Sequence, residues 1–184
     1  MRHAAKVFMA SALCLLAACA SSPEPAGSSR AGGWQLDDVS VRFGPTISRT
    51  ASGQDYGSNF VWNGFGGGNR KKQVLGIVRS GVREGADGVM TGQQPVDLRV
   101  QINVFHALTE FGRTWCCGFH DVDVDLAVVD KATGSVLESQ ENVQLGTYAY
   151  GGFSAAIAEA AGLDQATRIR ASIVEKVDAW LRTN

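Results

Sequence analysis

The sequence predicts an α+β domain, an antiparallel β-sheet of about four strands with helices packed on one face. Three observations carry that reading. Residues 97–107 and 121–130 alternate apolar and polar side chains with period two, as half-buried strands do. Two other segments carry helical stripes: Val74, Val78, Val82 and Ala86 in one, and Ile169, Ile173, Val177 and Trp180 or Leu181 in the other. The strands run together between these helices without β-α-β alternation, the order expected of an antiparallel sheet with segregated helices.

Taken in order, the 184-residue chain opens on Arg2 and Lys6, followed by an apolar run over residues 7–18. That run has the length of a signal-peptide core, and no later run is long enough to span a bilayer. It closes on Leu16-Ala17-Ala18-Cys19, which resembles the lipobox of bacterial lipoproteins. The resemblance implies a signal peptide at residues 1–18, cleavage before Cys19, a diacylglyceryl group on its sulfur and an acylated amine. Two acyl chains already anchor a protein stably, and a third makes the attachment effectively permanent. Ala20, where Asp would direct retention in the inner membrane, implies by the same resemblance an outer-membrane lipoprotein facing the periplasm. Residues 20–33 are Ser, Pro, Ala and Gly with almost nothing to bury, the composition of a tether, and as a coil they reach roughly 20 Å. Residues 19–33 are thus expected to be lipidated Cys and tether, and residues 34–184 a single domain.

Within that domain, residues 34–43 alternate as a first strand with a slip at Asp37-Asp38 that marks a bulge. Residues 44–68 lack periodicity and read as a long loop with a short strand near 59–62; loops of that length are often functional. Asn69 is placed to cap a helix that stops between Gly85 and Gly88. The strand over 121–130 is followed by Lys131-Ala132-Thr133-Gly134, a tight turn, and by residues 136–145 as its hairpin partner. Residues 153–161 form a short Ala-rich helix interrupted at Gly162, and Asp164 caps the last helix.

Several phrases resemble an uncharacterised family of alphaproteobacterial lipoproteins across nearly the whole mature domain. They are Val61-Trp62-Asn63-Gly64, Gly68-Asn69-Arg70 with Gln73-Val74, Val104-Phe105-His106-Ala107-Leu108-Thr109-Glu110, and Asp130-Lys131-Ala132-Thr133-Gly134-Ser135-Val136-Leu137. The family offers no activity to transfer. The sequence departs from its pattern where Phe65 and Asn69 stand in place of acids and Cys116-Cys117 in place of small glycines. The order of elements is also similar to accessory lipoproteins of lipid-trafficking ABC systems.

Charge and cysteine usage narrow the function classes. The formal charge of −1 becomes −3 once Arg2 and Lys6 leave, without the basic footprint that nucleic-acid binding needs. Of four cysteines, Cys14 goes with the signal and Cys19 takes lipid, leaving Cys116 and Cys117 as packed thiols, a strained vicinal disulfide or an intermolecular bridge. His120 with Asp121, Asp123 and Asp125 is the acidic constellation. On a strand its alternate carboxylates stand about 6.6–6.8 Å apart, forming a row on a solvated face that offers at most a metal site from His120 and one Asp, with Arg99 as a neighbouring partner. His106 reads as a core or edge histidine, since no nucleophile motif accompanies it. The Gly-rich turn before Arg70, Lys71 and Lys72 lacks the phosphate-loop spacing, yet three cations at a helix N-terminus suit an anionic headgroup or acidic partner.

Ten aromatic residues fall in loops or element ends: Tyr56, Phe60, Trp62, Phe65, Phe111, Trp115, Phe119, Tyr148, Tyr150 and Phe153. Such rings either close one end of the core or form a contact patch. The expected function is a non-enzymatic envelope lipoprotein that binds an envelope protein or lipidic ligand, with Trp62, Phe65, Arg70, Lys71, Lys72, Trp115, Tyr148 and Tyr150 as its contact residues. The alternative is a metal-binding or redox-active envelope protein using His120, Asp121 and Asp123 or Cys116 and Cys117. No cofactor is expected beyond the covalent lipid on Cys19.

Overall fold

The computed structural model describes residues 30–47, 58–63, 67–115 and 117–183. A 3-10 turn at Arg30–Gly33 leads into β1 (Trp34–Phe43), β2 (Phe60–Val61), α1 (Arg70–Asp87), β3 (Gln94–His106) and α2 (Glu110–Trp115). There follow β4 (Gly118–Asp130), β5 (Val136–Gln144), β6 (Thr147–Ala149), α3 (Gly152–Ala160) and α4 (Gln165–Thr183).

The main strands lie in the order β1-β3-β4-β5. β3 and β4 are antiparallel from Val96 opposite Asp130 to His106 opposite Asp121, and β5 returns along β4 as the other half of a hairpin. Gly134, at φ 72°, supplies the left-handed position of the connecting turn. β2 prolongs the β1 edge of β3, pairing Phe60 with Phe105, and β6 prolongs the β5 edge of β4, pairing Tyr148 with Phe119.

The sheet is mixed, and this corrects the antiparallel expectation. β1 pairs with β3 in parallel from Trp34 opposite Gln94 to Phe43 opposite Ile102, and β2 is parallel to β3 as well. α1 is therefore the return limb of a strand-helix-strand crossover. The sequence conceals this because residues 44–69 separate β1 from α1 and break the compact spacing by which such units are read. The bulge expected at Asp37-Asp38 is present as a register shift between Leu36 and Asp38.

The period-two pattern fixes the faces. Val96, Leu98, Val100 and Ile102 of β3 and Val122, Val124, Leu126 and Val128 of β4 are buried in one apolar cluster with Val74, Val78 and Val82 of α1 and Ile169, Ile173 and Val177 of α4. Burial of this kind contributes about 25 cal/mol per Å² of apolar surface and is what holds the layers together. α1 approaches α4 so closely that a Cβ at Gly85 would lie 2.6 Å from the Val174 carbonyl oxygen. Both helices start as the sequence indicates: the Lys72 N–H donates to Asn69 Oδ1 at 3.1 Å, and the Thr167 N–H to Asp164 Oδ1 at 2.7 Å.

These strands give the sheet two unlike ends. β3 and β4 are 13 residues each, about 40 Å at 3.3 Å per residue. At the N-terminal end lie Arg30–Gly33, the β4-β5 turn and the start of β3. At the other lie β2, the start of α1, α2, β6 and α3. No described helix is long and apolar enough to cross a membrane.

Candidate interaction surface

The aromatic residues divide by depth. Phe60 and Phe105 are fully buried, and Trp62, 3% exposed, packs its indole edge-on to Phe105 at 5.8 Å and donates its Nε1–H to Gln73 Oε1 at 2.9 Å. Trp62 closes the core and is not available as a contact residue, which corrects its assignment as one. Phe43 meets Phe60 edge-on at 5.5 Å, and the Lys71 ammonium lies 5.2 Å from the Phe43 ring centre, a cation-π arrangement that half-buries this lysine. Arg70 and Lys72 beside it are exposed.

The second group lies in solvent at the same end of the sheet. Trp115 is 76% exposed and Phe153 82%, and Phe111, Phe119, Tyr148 and Tyr150 are exposed as well. β6 assembles them: pairing sets Tyr148 directly opposite Phe119, so both project from one face, and Tyr150 meets Tyr148 edge-on at 6.1 Å. Arg168, in the first turn of α4, stacks its guanidinium 3.7 Å from the Tyr150 ring centre and donates to the Tyr148 carbonyl oxygen. Trp115, Cys117, Tyr148, Tyr150 and Gly152 line a shallow groove of about 320 Å³. A neighbouring groove of about 420 Å³ runs between α2 and α3, past Thr114 and Phe153. The Arg113–Glu159 ion pair joins these two helices.

Two contributors escape the sequence reading. α3 buries Ala155 and Ala158 and leaves Phe153, Ser154, Ala156, Ile157 and Ala160 exposed, so its outward face is apolar but for one serine hydroxyl. The signal was available in the near absence of polar residues from Phe153-Ser-Ala-Ala-Ile-Ala, which a solvated helix would show on one side. Arg168 carried no such signal, because only the fold brings α4 to Tyr150.

The metal reading loses its geometry. Strand alternation points Asp121, Asp123 and Asp125 away from the core and His120 into it, so His120 and the aspartates occupy opposite faces. No group of three His, Cys, Asp or Glu able to hold a metal ion occurs among the described residues. Asp125 is satisfied by amides, accepting from Gln101 Nε2 at 3.0 Å, Asn103 Nδ2 at 2.8 Å and the Asn142 N–H at 3.1 Å, while Arg99 pairs across to Ala127. The Asp123 carboxyl titrates above its ordinary range, through burial first and then repulsion from Asp121 and Asp125, against a lowering bond from Gln144.

His120 is a core residue. The Leu108 N–H donates to its Nδ1 at 3.2 Å, which places the proton on Nε2, and that buried atom has no hydrogen-bond partner among the described residues. Burial, aided by the Arg168 charge, pushes its pKa down to about 4. His106, at the end of β3, is half-buried opposite Asp121 and Val61. Cys117 is exposed in the aromatic groove. Cys19, Phe65, Tyr56 and Cys116 lie outside the described residues.

A family model matches residues 34–184, the great majority of the chain, and its description is a family of unknown function, DUF6778. The chain belongs to the DUF6778 family. No curated protein matches the sequence. Among solved structures the DUF6778 domain is similar to a candidate lipoprotein from Caulobacter crescentus CB15, with 16% identity, 58% of this chain and 79% of that one covered, and a TM-score of 0.37. It is similar also to a DUF330 protein from Xanthomonas campestris, with 13% identity, 86% of each chain covered and a TM-score of 0.47. A third is PelC from Paraburkholderia phytofirmans, described as a dodecamer, with 14% identity, 83% and 94% covered and a TM-score of 0.34. Likenesses this distant carry no conclusion about chemistry or assembly for the DUF6778 chain.

Proposed function

We propose that this DUF6778 protein is a non-enzymatic interaction module of the cell envelope, held through lipid on Cys19 at the outer membrane, facing the periplasm, and working through its aromatic end. The observation that supports this reading is the gathering of Phe111, Trp115, Phe119, Tyr148, Tyr150 and Phe153 in solvent at the end of the sheet opposite residue 30. Exposed aromatic area of this extent is unfavourable in water unless something covers it. Contact surfaces are enriched in Tyr, Trp, Phe and Arg, and here Arg168 stacks among the rings. Anchor and surface then stand at opposite ends of a sheet about 40 Å long.

The test is photo-cross-linking in intact cells, with a benzophenone amino acid placed at Phe153 or Phe111 and, for comparison, at Gln93 or Ala132 at the other end. Discrete adducts, protein or lipid, are expected from the first pair only. Equal capture from both ends, or none from the aromatic end, overturns the reading.

A further inference from the structure

The outward face of α3 offers a partner little to read by hydrogen bonding beyond the Ser154 hydroxyl at its flank. Phe153 and Ile157 stand out of it with exposed Ala156 and Ala160 between, and its only carboxylate, Glu159, is engaged by Arg113. Around it Trp115, Tyr148 and Tyr150 offer rings with polar edges, the residues that settle at the boundary between headgroups and acyl chains.

Cations concentrate at one corner of this end: Arg70, Lys71 and Lys72 stand together at the start of α1, whereas Arg113 and Arg168 are matched in number by Glu159 and Asp164. The cations at the start of α1 share this end of the sheet, with the Lys71 ammonium 5.2 Å from the Phe43 ring centre and 5.8 Å from that of Phe60. Three cations at a helix N-terminus oppose the helix dipole, and an anionic surface relieves that opposition.

Chain length decides which surface this is. Eleven residues from Cys19 to Arg30 span at most about 40 Å, no more than the sheet itself, and they join the domain at its far end. Reaching the anchoring bilayer with the aromatic end would require that segment at full stretch.

We propose that the aromatic end docks on an anionic phospholipid bilayer other than the one that holds the anchor, with Phe153, Ile157, Trp115, Tyr148 and Tyr150 in its interface and the α1 cations over its headgroups. This rests on the reading above that the aromatic end is the working surface.

Trp115 is a built-in reporter, because Trp34, Trp62 and Trp180 are all buried. The full-length lipidated protein is reconstituted in neutral phosphatidylcholine vesicles and mixed with second vesicles of phosphatidylglycerol and phosphatidylcholine bearing brominated acyl chains. Quenching of Trp emission by the anionic second vesicles is expected, with none from neutral ones. Trp115→Phe should remove the quenched signal, and the pair Phe153→Ser and Ile157→Ser, with unchanged circular dichroism, should abolish vesicle binding. Changing Arg70, Lys71 and Lys72 to Gln should weaken binding about a hundredfold, at roughly fivefold per cation near an anionic surface.

Absence of quenching, equal quenching by neutral vesicles, or quenching only when the bromine sits in the anchoring vesicles overturns the proposal. Protein adducts at Phe153 in the cellular experiment, without quenching here, would overturn the bilayer and leave the interaction module standing. Failure of both experiments removes both.

Discussion

At the N-terminal end of the sheet the Gly92 N–H donates to the Trp34 carbonyl at 2.7 Å and the Gln93 N–H to the Gly33 carbonyl at 3.2 Å, while Asp130 Oδ1 takes both the Thr133 N–H and hydroxyl at 2.7 Å. Lys131 pairs there with Asp37. The far end has backbone closure as well, the Phe105 N–H donating to the Asn59 carbonyl at 2.8 Å and the Ala107 N–H to the Val61 carbonyl at 2.9 Å, but it also carries aromatic rings, one set folded under as Phe60, Trp62 and Phe105 and one set left in water. The contrast teaches how a sheet end is finished. Short polar turns satisfy their own backbone and need no cover. An end built from short helices of six and nine residues, with Phe111, Trp115, Phe153 and Ile157 exposed on them, leaves apolar surface that only a contact removes.

If the N-terminal end is rigid because its backbone is close-packed, crowding it should cost most. A Cβ on Gly92 would fall 2.2 Å from the carbonyl carbon and oxygen of Gly33. Gly92→Ala should therefore lower unfolding stability by about 3 kcal/mol, at the upper end of overpacking effects, read as a shift in urea midpoint. A midpoint within 0.5 kcal/mol of wild type would show that this end yields.

Next in size is a pH effect where the aromatic end meets the core. With its folded pKa near 4 and an ordinary value of 6.5, His120 stays neutral in the folded protein where the unfolded chain takes a proton. Its contribution is thus complete above pH 6.5 and is lost as pH falls toward 4, a loss on the order of 2–3 kcal/mol. Asp123, whose carboxyl is raised, acts in the opposite direction, so the comparison must be with His120→Asn, which keeps an acceptor for the Leu108 N–H and does not titrate. The variant should show a flatter stability profile between pH 6.5 and 4; parallel profiles would rule the histidine out.

The smallest effect belongs to the solvent-facing rings. Phe111→Ser should change stability by less than about 0.5 kcal/mol while reducing surface capture, because that ring contributes contact area and little packing. A loss above 2 kcal/mol would instead make it part of the core.

Most of the fold was legible because period and punctuation agreed. The alternation of β3 and β4, the Asp130–Gly134 turn, the Asn69 and Asp164 caps and the helical stripes each state a local preference that tertiary packing keeps. Parallel pairing of β1 was not legible, since strand direction depends on which neighbour is chosen across a long loop. β6 is too short, at three residues, to show a period, and α2 too short to show a stripe. For the surface, residue type located the aromatic set but not its depth: Trp62 and Trp115 are the same side chain in loop-like stretches, and only the hydrogen bond to Gln73 and the Phe105 ring draw the first inside. The row of aspartates was readable as a row, while His120 fell to the other face by the same alternation.

The parallel register of β1 has a mechanical meaning. β1 enters at the N-terminal end and is bonded to β3 over nine paired residues, so tension between residue 30 and the aromatic end runs along the strands. The ladder bonds, lying across that direction, are loaded together in shear and do not open one after another as in unzipping. A chain pulled by its N-terminus while gripped at Phe153 is therefore strongest along the line joining those two points.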